Sequence, residues 1–332
     1  MFRRRVLLSG LSGAGCLVVP PAMGSDAPPP YPTRPITLIA PFSPGGSADA
    51  AARLLATHAP RHLPETKARI NVENRAGASG AIGTNLVARA APDGHTLLLA
   101  RVASSAILPA MDPRTPYGWD EFTMLGLLYE SPFVVCVRTD APWKNLGDLQ
   151  GALREAPGRL TFATTGPATI LDFGVRQFFM ASGLPIDAGS ALPFAGGAEA
   201  VAAVVSGRAH FVGSAITDAI GALSARSIRA LVVGSDERLP LLPGVPTAKD
   251  AEVPSLAAIT GWSALFGPPS LPVPVVEAWA KAIAALASDR AWVEAIQGSG
   301  SAPRSSSPGA TREFLRAQIA LYSDLARRLG LL

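Results

Sequence analysis

A glycine-containing turn near the start of the chain joins a predicted strand to a predicted helix. Residues 41–49 read Pro-Phe-Ser-Pro-Gly-Gly-Ser-Ala-Asp; an apolar run at 36–40 precedes them, and an Ala-rich segment follows to Ala59. A strand that leads through a tight turn into a helix is the repeating unit of α/β folds. The first N–H groups of such a helix lack intrahelical partners and, with the helix dipole, attract anions. The junction therefore predicts an α/β fold with a site for a carboxylate or phosphate.

The residues of this turn have different expected roles. Gly45 and Gly46 would let a ligand approach the backbone closely, because they carry no Cβ. We expect Ser47 to cap the helix and Asp49 to lie in its first turn, where a carboxylate complements the dipole. Asp49 precedes Arg53 by four residues, a favourable spacing for an ion pair. This spacing predicts a structural role for Asp49, which is to hold the loop through Arg53. Backbone donors are then the expected ligand contacts.

Apolar strands and amphipathic helices alternate along the rest of the chain, which predicts α/β architecture with largely parallel sheets. The 332 residues, 48% hydrophobic and 16% charged, suffice for two domains with packed cores. Extended or Pro-rich segments near 127–131 and 239–254 are the candidate boundaries. They divide the chain into a discontinuous domain 1 (35–128 plus 251–332) and an inserted domain 2 (129–250), with a cleft between them.

The N-terminus has the pattern of an export signal. Arg3–Arg5 precede the apolar segment 6–20, and Ala22-Met23-Gly24 is a candidate cleavage site, so residues 1–24 are predicted to be removed and 25–34 to form a spacer. Ordinary and twin-arginine export both stay open, as does a lipid anchor at Cys16. Without residues 1–24 the net charge falls from +4 to +1, which gives no support for nucleic-acid binding. The expected location is the periplasm.

Signatures of enzymes and metal sites are missing from the sequence. It has no Gly-x-Ser-x-Gly, no His-Glu-x-x-His and no paired cysteines once Cys16 is removed, and Cys136 lies in an apolar strand as a buried thiol. His58 and His62 have helical spacing but no acidic partner nearby in sequence, which favours a solvated helix end. The glycines of 77–83 lack the Lys-Ser/Thr of a phosphate loop. We expect no catalytic residues, metal or cofactor.

Two further strand-to-helix turns could face the first one. Thr164-Thr165-Gly166-Pro167-Ala168-Thr169 leads into a helix at 170, and Phe194-Ala195-Gly196-Gly197 leads into another at 198. Thr164, Thr165 and Thr169 are predicted to supply hydroxyl groups across the cleft, although Thr169 is equally a candidate N-cap. A ligand held between two helix N-termini would suit a dicarboxylate.

From about Tyr31 to its C-terminus, the chain resembles the periplasmic receptors of tripartite tricarboxylate transporters, the Bug-type receptors. The segments that carry the resemblance are Tyr31-Pro32-Thr33-Arg34-Pro35-Ile36, Pro41-Phe42…Gly45-Gly46…Asp49…Arg53, Glu73-Asn74-Arg75…Gly77-Ala78…Gly80…Ile82-Gly83, Ala91–Leu98, Arg238…Pro243-Gly244-Val245-Pro246-Thr247 and Trp262…Gly267-Pro268-Pro269. The resemblance implies a two-domain Venus-flytrap fold, of the type II periplasmic-binding-protein kind, with a central cleft. It also implies ligand contacts at Phe42, Gly45, Gly46, Ser47 and Asp49 and in the loop Thr164–Thr169.

The leading interpretation is a monomeric, non-enzymatic receptor that binds a small organic acid and delivers it to membrane permease subunits. The alternative is a periplasmic sensing component that reports its ligand to a signalling partner. A hydrolase or transferase lacks a visible nucleophile–base pair. The chain departs from the family pattern at Ala168, Asp172, Ala203 and 207–210, so the identity of the acid stays open.

Overall fold

The computed structural model describes residues 31–65, 67–167 and 169–332, so the predicted signal peptide and Cys16 lie outside the described residues. The described chain forms one mixed sheet system surrounded by helices. Its strands are β1 (Ile36–Ala40), β2 (Ile70–Asn74), β3 (Thr96–Arg101), β4 (Thr123–Arg138), β5 (Thr161–Thr164), β6 (Ser190–Pro193), β7 (Phe211–Ala215), β8 (Ile228–Gly234), β9 (Thr260–Gly267) and β10 (Ala302–Pro303).

Helices connect most of the strands and cover the sheets. They are α1 (Ser47–His58), α2 (Ala81–Ala88), α3 (Leu108–Met111), α4 (Leu146–Glu155), α5 (Ile170–Ala181), α6 (Gly197–Val205), α7 (Ile216–Ser224), α8 (Val273–Leu286), α9 (Arg290–Gly298) and α10 (Pro308–Arg328). Short 3-10 turns lie at 59–62, 78–80 and 254–258, and a π-helical turn at 103–107 runs into α3. Helices α4, α5, α9 and α10 begin with a side-chain cap. At α4, Asn145 and Asp148 form a reciprocal capping box.

The strand order is β2-β1-β3-β9-β4-β7-β5-β6, with β8 and β10 also paired to β4. The pairs among β1, β2 and β3 are parallel, and so are those among β5, β6 and β7. The central strands β4 and β9 run antiparallel to their neighbours. The predicted α/β class with largely parallel sheets is therefore confirmed on each side, with an antiparallel centre.

Strand β4 belongs to both halves of the sheet system. Its residues 123–132 pair with β9, and its residues 133–138 pair with β7 and β8. Pro132, which has no N–H to donate, stands where the partners change. One continuous strand thus links the two parallel groups, whereas the domain boundaries given above stay a prediction.

Three hydrophobic clusters make up the core, and one of them extends across β4. Its aromatic members include Trp262 and Phe266 of β9 and Phe162 and Phe211 of β5 and β7. In the same cluster Tyr322 of α10 is buried, and its ring centroid lies 5.6 Å from that of Phe173 in α5. The last helix therefore packs against the element that follows β5. No helix within the described residues combines the length and apolar character needed to cross a bilayer.

Candidate functional site

A cleft of about 740 Å³ lies where the parallel strands of both groups end. The residues that line it come from five separate segments. They are Phe42–Ala48 with Ala50, Arg101–Ala103, Ile170, Ala195–Ala198, and Ala215 with Thr217 and Asp218, and Gly261 completes the lining.

Each of the five segments follows the carboxyl end of a strand, namely β1, β3, β5, β6 and β7. In open α/β sheets this edge is where ligands bind, because helix N-termini and loops converge there. A second groove of about 610 Å³, lined by 32–35 and by Glu65 with 67–69, lies instead at the amino ends of β1 and β2. The cleft is therefore the better candidate site.

The first junction has the conformation that its glycines suggest. Gly45 has φ +80°, a left-handed value that glycine adopts without strain, and Gly46 is the extended N-cap of α1 with φ −83°. The expectation that Ser47 caps the helix is wrong: Ser47 is the first helical residue, and no side chain caps α1. The reason is that Gly46 already occupies the cap position, so the N–H groups of the first turn stay open to the cleft.

Asp49 stabilises this loop from a position that does not line the cleft. Its Oδ2 accepts hydrogen bonds from the Arg53 Nε and from the Gly45 N–H, each at 3.0 Å, and the residue is only 5% exposed. These bonds, that of Arg53 first and that of Gly45 second, lower the pKa of Asp49 to about 2. Asn74 fixes the other end of the loop, since its Nδ2 donates to the Phe42 carbonyl at 3.0 Å.

The junction after β6 repeats the first one. Gly196 is the extended N-cap of α6, as Gly46 is of α1. The third residue of α6, Glu199, accepts a hydrogen bond from the Ala195 N–H at 3.0 Å, as Asp49 does from Gly45. Two helices from different halves of the sheet system therefore present first-turn N–H groups to the same cleft.

A third helix, α7, opens on the cleft without any loop. Strand β7 ends at Ala215 and α7 begins at Ile216, with no side-chain cap. Its third residue is Asp218, which lines the cleft. A Cβ added to Gly197 would lie 2.2 Å from the Asp218 Oδ2, so this carboxylate packs directly against the start of α6.

Arg101 supplies a positive side chain at the end of β3. Its guanidinium donates to Ser263 Oγ at 2.5 Å, to Tyr129 OH at 3.3 Å and to Ser47 Oγ at 3.2 Å. Ser263 of β9 stands opposite both Arg101 of β3 and Tyr129 of β4 in the strand pairings. Hydroxyl groups of α1, β9 and β4 thus hold the guanidinium in place, and none of these three hydrogen bonds is made to a carboxylate.

The eleven residues predicted to bind the ligand divide into two groups. Phe42, Gly45, Gly46, Ser47, Gly196 and Gly197 line the cleft. Asp49, Thr164, Thr165, Gly166 and Thr169 are not among the described residues that line it, although Ile170 next to Thr169 is. Whether any of the eleven contacts a ligand stays a prediction.

The described side-chain hydrogen bonds of the threonine loop are made within the loop and to the start of α5. Thr169 Oγ1 donates to the Gly166 carbonyl at 2.8 Å and accepts from the Asp172 N–H at 3.4 Å, as an N-cap of α5 does. Thr164 is buried and its hydroxyl lies 3.4 Å from the same Gly166 carbonyl. From the half of the sheet system that holds β5, β6 and β7, the described residues that line the cleft are Ile170, Ala195–Ala198, Ala215, Thr217 and Asp218.

Sequence reasoning missed Arg101 and Asp218. Arg101 ends an apolar strand and belongs to no motif. The residues that orient it are distant in sequence: Tyr129 is 28 positions away and Ser263 is 162 positions away. The signal that could have found Asp218 is its place three residues into a helix that follows a buried strand, as in the junction at Asp49. The start of α7 was itself not predicted.

The histidine pair is not the solvated helix end expected from the sequence. His62 Nε2 lies 2.9 Å from Asp289 Oδ2, and His58 Nδ1 lies 4.0 Å from Asp289 Oδ1. The fold brings the N-cap of α9 onto the end of α1, across 227 positions. Burial, followed by the charge of Arg61, lowers the pKa of His58. No group of three or more His, Cys, Asp or Glu among the described residues could hold a metal ion.

Comparisons with known proteins agree with one another. The model of the tripartite tricarboxylate transporter family receptor, TctC, matches residues 51–331. The chain is 34% identical to the UPF0065 protein in the tcbD-tcbE intergenic region of Pseudomonas sp. (strain P51), over 82% of this chain and 79% of that protein. It is 29% identical to protein BugT of Bordetella pertussis, over 90% of each.

Two solved structures from Rhodopseudomonas palustris are similar over nearly their whole length. MatC with bound malate has a TM-score of 0.75 and 27% identity, and covers 89% of this chain and 99% of its own. Rpa4515 with adipate has a TM-score of 0.78 and 25% identity, and covers 90% of this chain and 98% of its own.

The fold and the cleft define a class, the periplasmic solute receptors with a two-domain periplasmic-binding-protein fold. Within that class, the chain belongs to the family of tripartite tricarboxylate transporter receptors, as its resemblance to Bug-type receptors predicted. The members of this family are binding proteins, which confirms the prediction that the chain is not an enzyme.

Proposed function

We propose that this receptor binds a small organic acid by its carboxylate in the cleft and delivers it to the membrane permease subunits of a tripartite transporter. One observation carries the proposal: the N-termini of α1, α6 and α7 and the guanidinium of Arg101 converge on a single cavity. Helix N-termini and arginine are the groups that proteins use to bind carboxylates and phosphates.

The energetics of such a site suit a transport receptor. A hydrogen bond to a charged group contributes about 1.5–3 kcal/mol, so a few of them account for a micromolar dissociation constant, which corresponds to about −8.2 kcal/mol. A cleft between two domains that close on the ligand would exclude water and strengthen these bonds. The site needs no side-chain nucleophile or base.

Relatives support carboxylates over phosphates as ligands. MatC binds malate and Rpa4515 binds adipate, and both share the fold of this chain over about nine tenths of its length. Malate and adipate are dicarboxylates of different length, so the shared requirement is a carboxylate. Membership in the transporter receptor family supports a periplasmic location and a permease partner.

Titration calorimetry of the protein lacking residues 1–24 tests the proposal. Among organic acids of three to six carbons, at least one should bind with a micromolar dissociation constant. The amide of that acid should bind about tenfold or more weakly. Arg101→Gln should weaken binding of that acid by about tenfold or more, because a charge-assisted hydrogen bond is lost. Arg114→Gln is the control, since Arg114 is 88% exposed and pairs with Asp112 away from the cleft. Equal binding of acids and amides would contradict the proposal.

A further inference from the structure

Two charged side chains line the cleft from different elements of the sheet system. Arg101 is the last residue of β3, and Asp218 lies in the first turn of α7, after β7. The described hydrogen bonds of the Arg101 guanidinium go to hydroxyl groups and not to Asp218. The cleft therefore offers a positive group and a separate acidic group to the same ligand.

Asp218 differs from the acids at the equivalent position of the other two helices. Asp49 and Glu199 are also third residues of helices that open on the cleft, and each accepts a bond from a loop N–H four residues earlier. The residue four positions before Asp218 is Ser214, which lies inside β7. Ser214 interacts with Asp218 through its side chain, and the carboxylate lines the cavity.

The surroundings of Asp218 leave its charge incompletely solvated. Burial raises the pKa of its carboxyl, while the charge of Arg101 and the hydrogen bond of Ser214 act in the opposite direction. A carboxylate withdrawn from water is costly unless a donor satisfies it. A donor group on a bound ligand would remove that cost, because it would enter the cleft together with the ligand.

The position of the carboxylate depends on a glycine. A Cβ at Gly197 would lie 2.2 Å from the Asp218 Oδ2 and 2.6 Å from its Cγ, closer than such atoms approach. Any other residue at 197 would push the carboxylate away from the start of α6. Gly197 therefore lets Asp218 lie beside the first-turn N–H groups of α6, within the same cavity.

We propose that Asp218 accepts a hydrogen bond from the ligand, so that the receptor selects organic acids that also carry an amino or hydroxyl group. The inference rests on the proposed function: Arg101 and the helix N-termini hold the carboxylate, and Asp218 recognises the donor group. A plain dicarboxylate would instead bring a second negative charge towards Asp218 and bind less well.

Matched acids that differ in one substituent test this inference by calorimetry. The sets are propionate, lactate and alanine; succinate, malate and aspartate; and glutarate, 2-hydroxyglutarate and glutamate. In at least one set, the wild-type protein should bind the hydroxy or amino acid about tenfold or more tightly than the plain acid. Asp218→Asn should reduce that preference to about threefold or less, and Gly197→Ala should weaken it by displacing the carboxylate.

Asp187→Asn, which removes an exposed acid away from the cleft, is the control and should keep the preference. A stronger preference for the amino acid identifies an ammonium group as the donor. A stronger preference for the hydroxy acid identifies a hydroxyl group as the donor, and either result supports the inference. If plain acids bind the wild-type protein as tightly as the substituted acids do, the inference is overturned, whereas the proposed function is not affected. This comparison needs only the wild-type protein, so it holds even if the variants fail to fold. Binding of no acid in any set would overturn the proposed function as well.

Discussion

The carboxylate of Asp49 shows how one residue can shape the site from outside the cavity. Arg53 and the Gly45 N–H lower its pKa to about 2, so it is ionised at neutral pH and holds the loop whose amides face the cleft. The spacing of Asp49 and Arg53 predicts a structural role for Asp49, and these bonds agree with that role. A direct contact with the ligand, which the family resemblance implies, stays a prediction.

Asp49→Asn should destabilise the protein in a pH-dependent way. The folded-state pKa lies below the unfolded value of about 3.9, so the stabilisation is complete above that value and is lost as the pH falls towards 2. Urea unfolding at pH 7, 4 and 3 should show the free-energy difference between the wild type and the variant shrinking at the lowest pH. Asp324→Asn, which breaks an exposed pair of the same spacing with Arg328, should cost less. A difference that does not change with pH would contradict this role.

At the residue scale, the sequence predicted what local spacing controls. The ion pair of Asp49 with Arg53 and the tight turn at Gly45 and Gly46 depend on neighbours within four positions. Arg101 could not be assigned, because its orientation depends on the pairing of β3 with β9 and of β9 with β4. The partner of His62, Asp289, was missed for the same reason.

At the scale of elements, the strand-to-helix junction after β1 provides the sharpest test of backbone recognition. Gly46 has an ordinary extended conformation, and a Cβ placed there would meet only the Ser43 carbonyl oxygen, at 3.6 Å. A side chain at this position is therefore compatible with the folded turn. A substitution at Gly46 is therefore not expected to strain the turn.

Gly46→Val should weaken binding of the identified acid by about tenfold or more, because the added side chain occupies space that the carboxylate needs. The melting temperature without ligand should stay near that of the wild type. Gly244→Val is the matched control, since a Cβ there meets nothing within 4 Å and the residue does not line the cleft. Unchanged affinity in the Gly46 variant would show that the ligand does not approach this turn.

Element prediction succeeded where the sequence contains clear start signals. Helix α5 begins at Ile170, where the sequence predicts, and Thr169 caps it as its residue type suggests. Helix α7 was missed because it follows β7 directly, without a turn residue between Ala215 and Ile216. The first half of β4 was read as an extended linker, since Gly126 and Pro132 interrupt its pattern and only pairing with β9 makes it a strand.

At the scale of the whole molecule, the chain must reach the periplasm to act as proposed. Intact-mass measurement of the protein from a periplasmic fraction should give a mature form that begins near Ser25, because Arg3–Arg5, an apolar segment and Ala22-Met23-Gly24 have the pattern of an export signal. A species that retains Arg3–Arg5 would contradict the cleavage. A mass increase from acyl chains on Cys16 would instead identify a lipid anchor.

The overall architecture was predictable because two signals agree, the alternation of strands and helices and the repeated glycine turns. The continuity of the two sheets through β4 was not, since it depends on one strand exchanging partners at Pro132. The predicted cleft between two halves of the chain is where the structure has its cavity, with Phe42–Ala48 on one side and Ala195–Ala198 on the other.

The repeated junctions have a consequence for how receptors of this kind diversify. At Gly45 and at Ala195, an acidic side chain four residues later accepts the loop N–H and orders the loop. The groups offered to an anion are main-chain N–H groups, which every residue type except proline possesses. Mutational drift in side chains around the cavity therefore leaves the anchor for the acid intact. On the proposed function, substitutions at positions such as 218 change which acids bind, while the main-chain groups that hold the carboxylate are inherited unchanged.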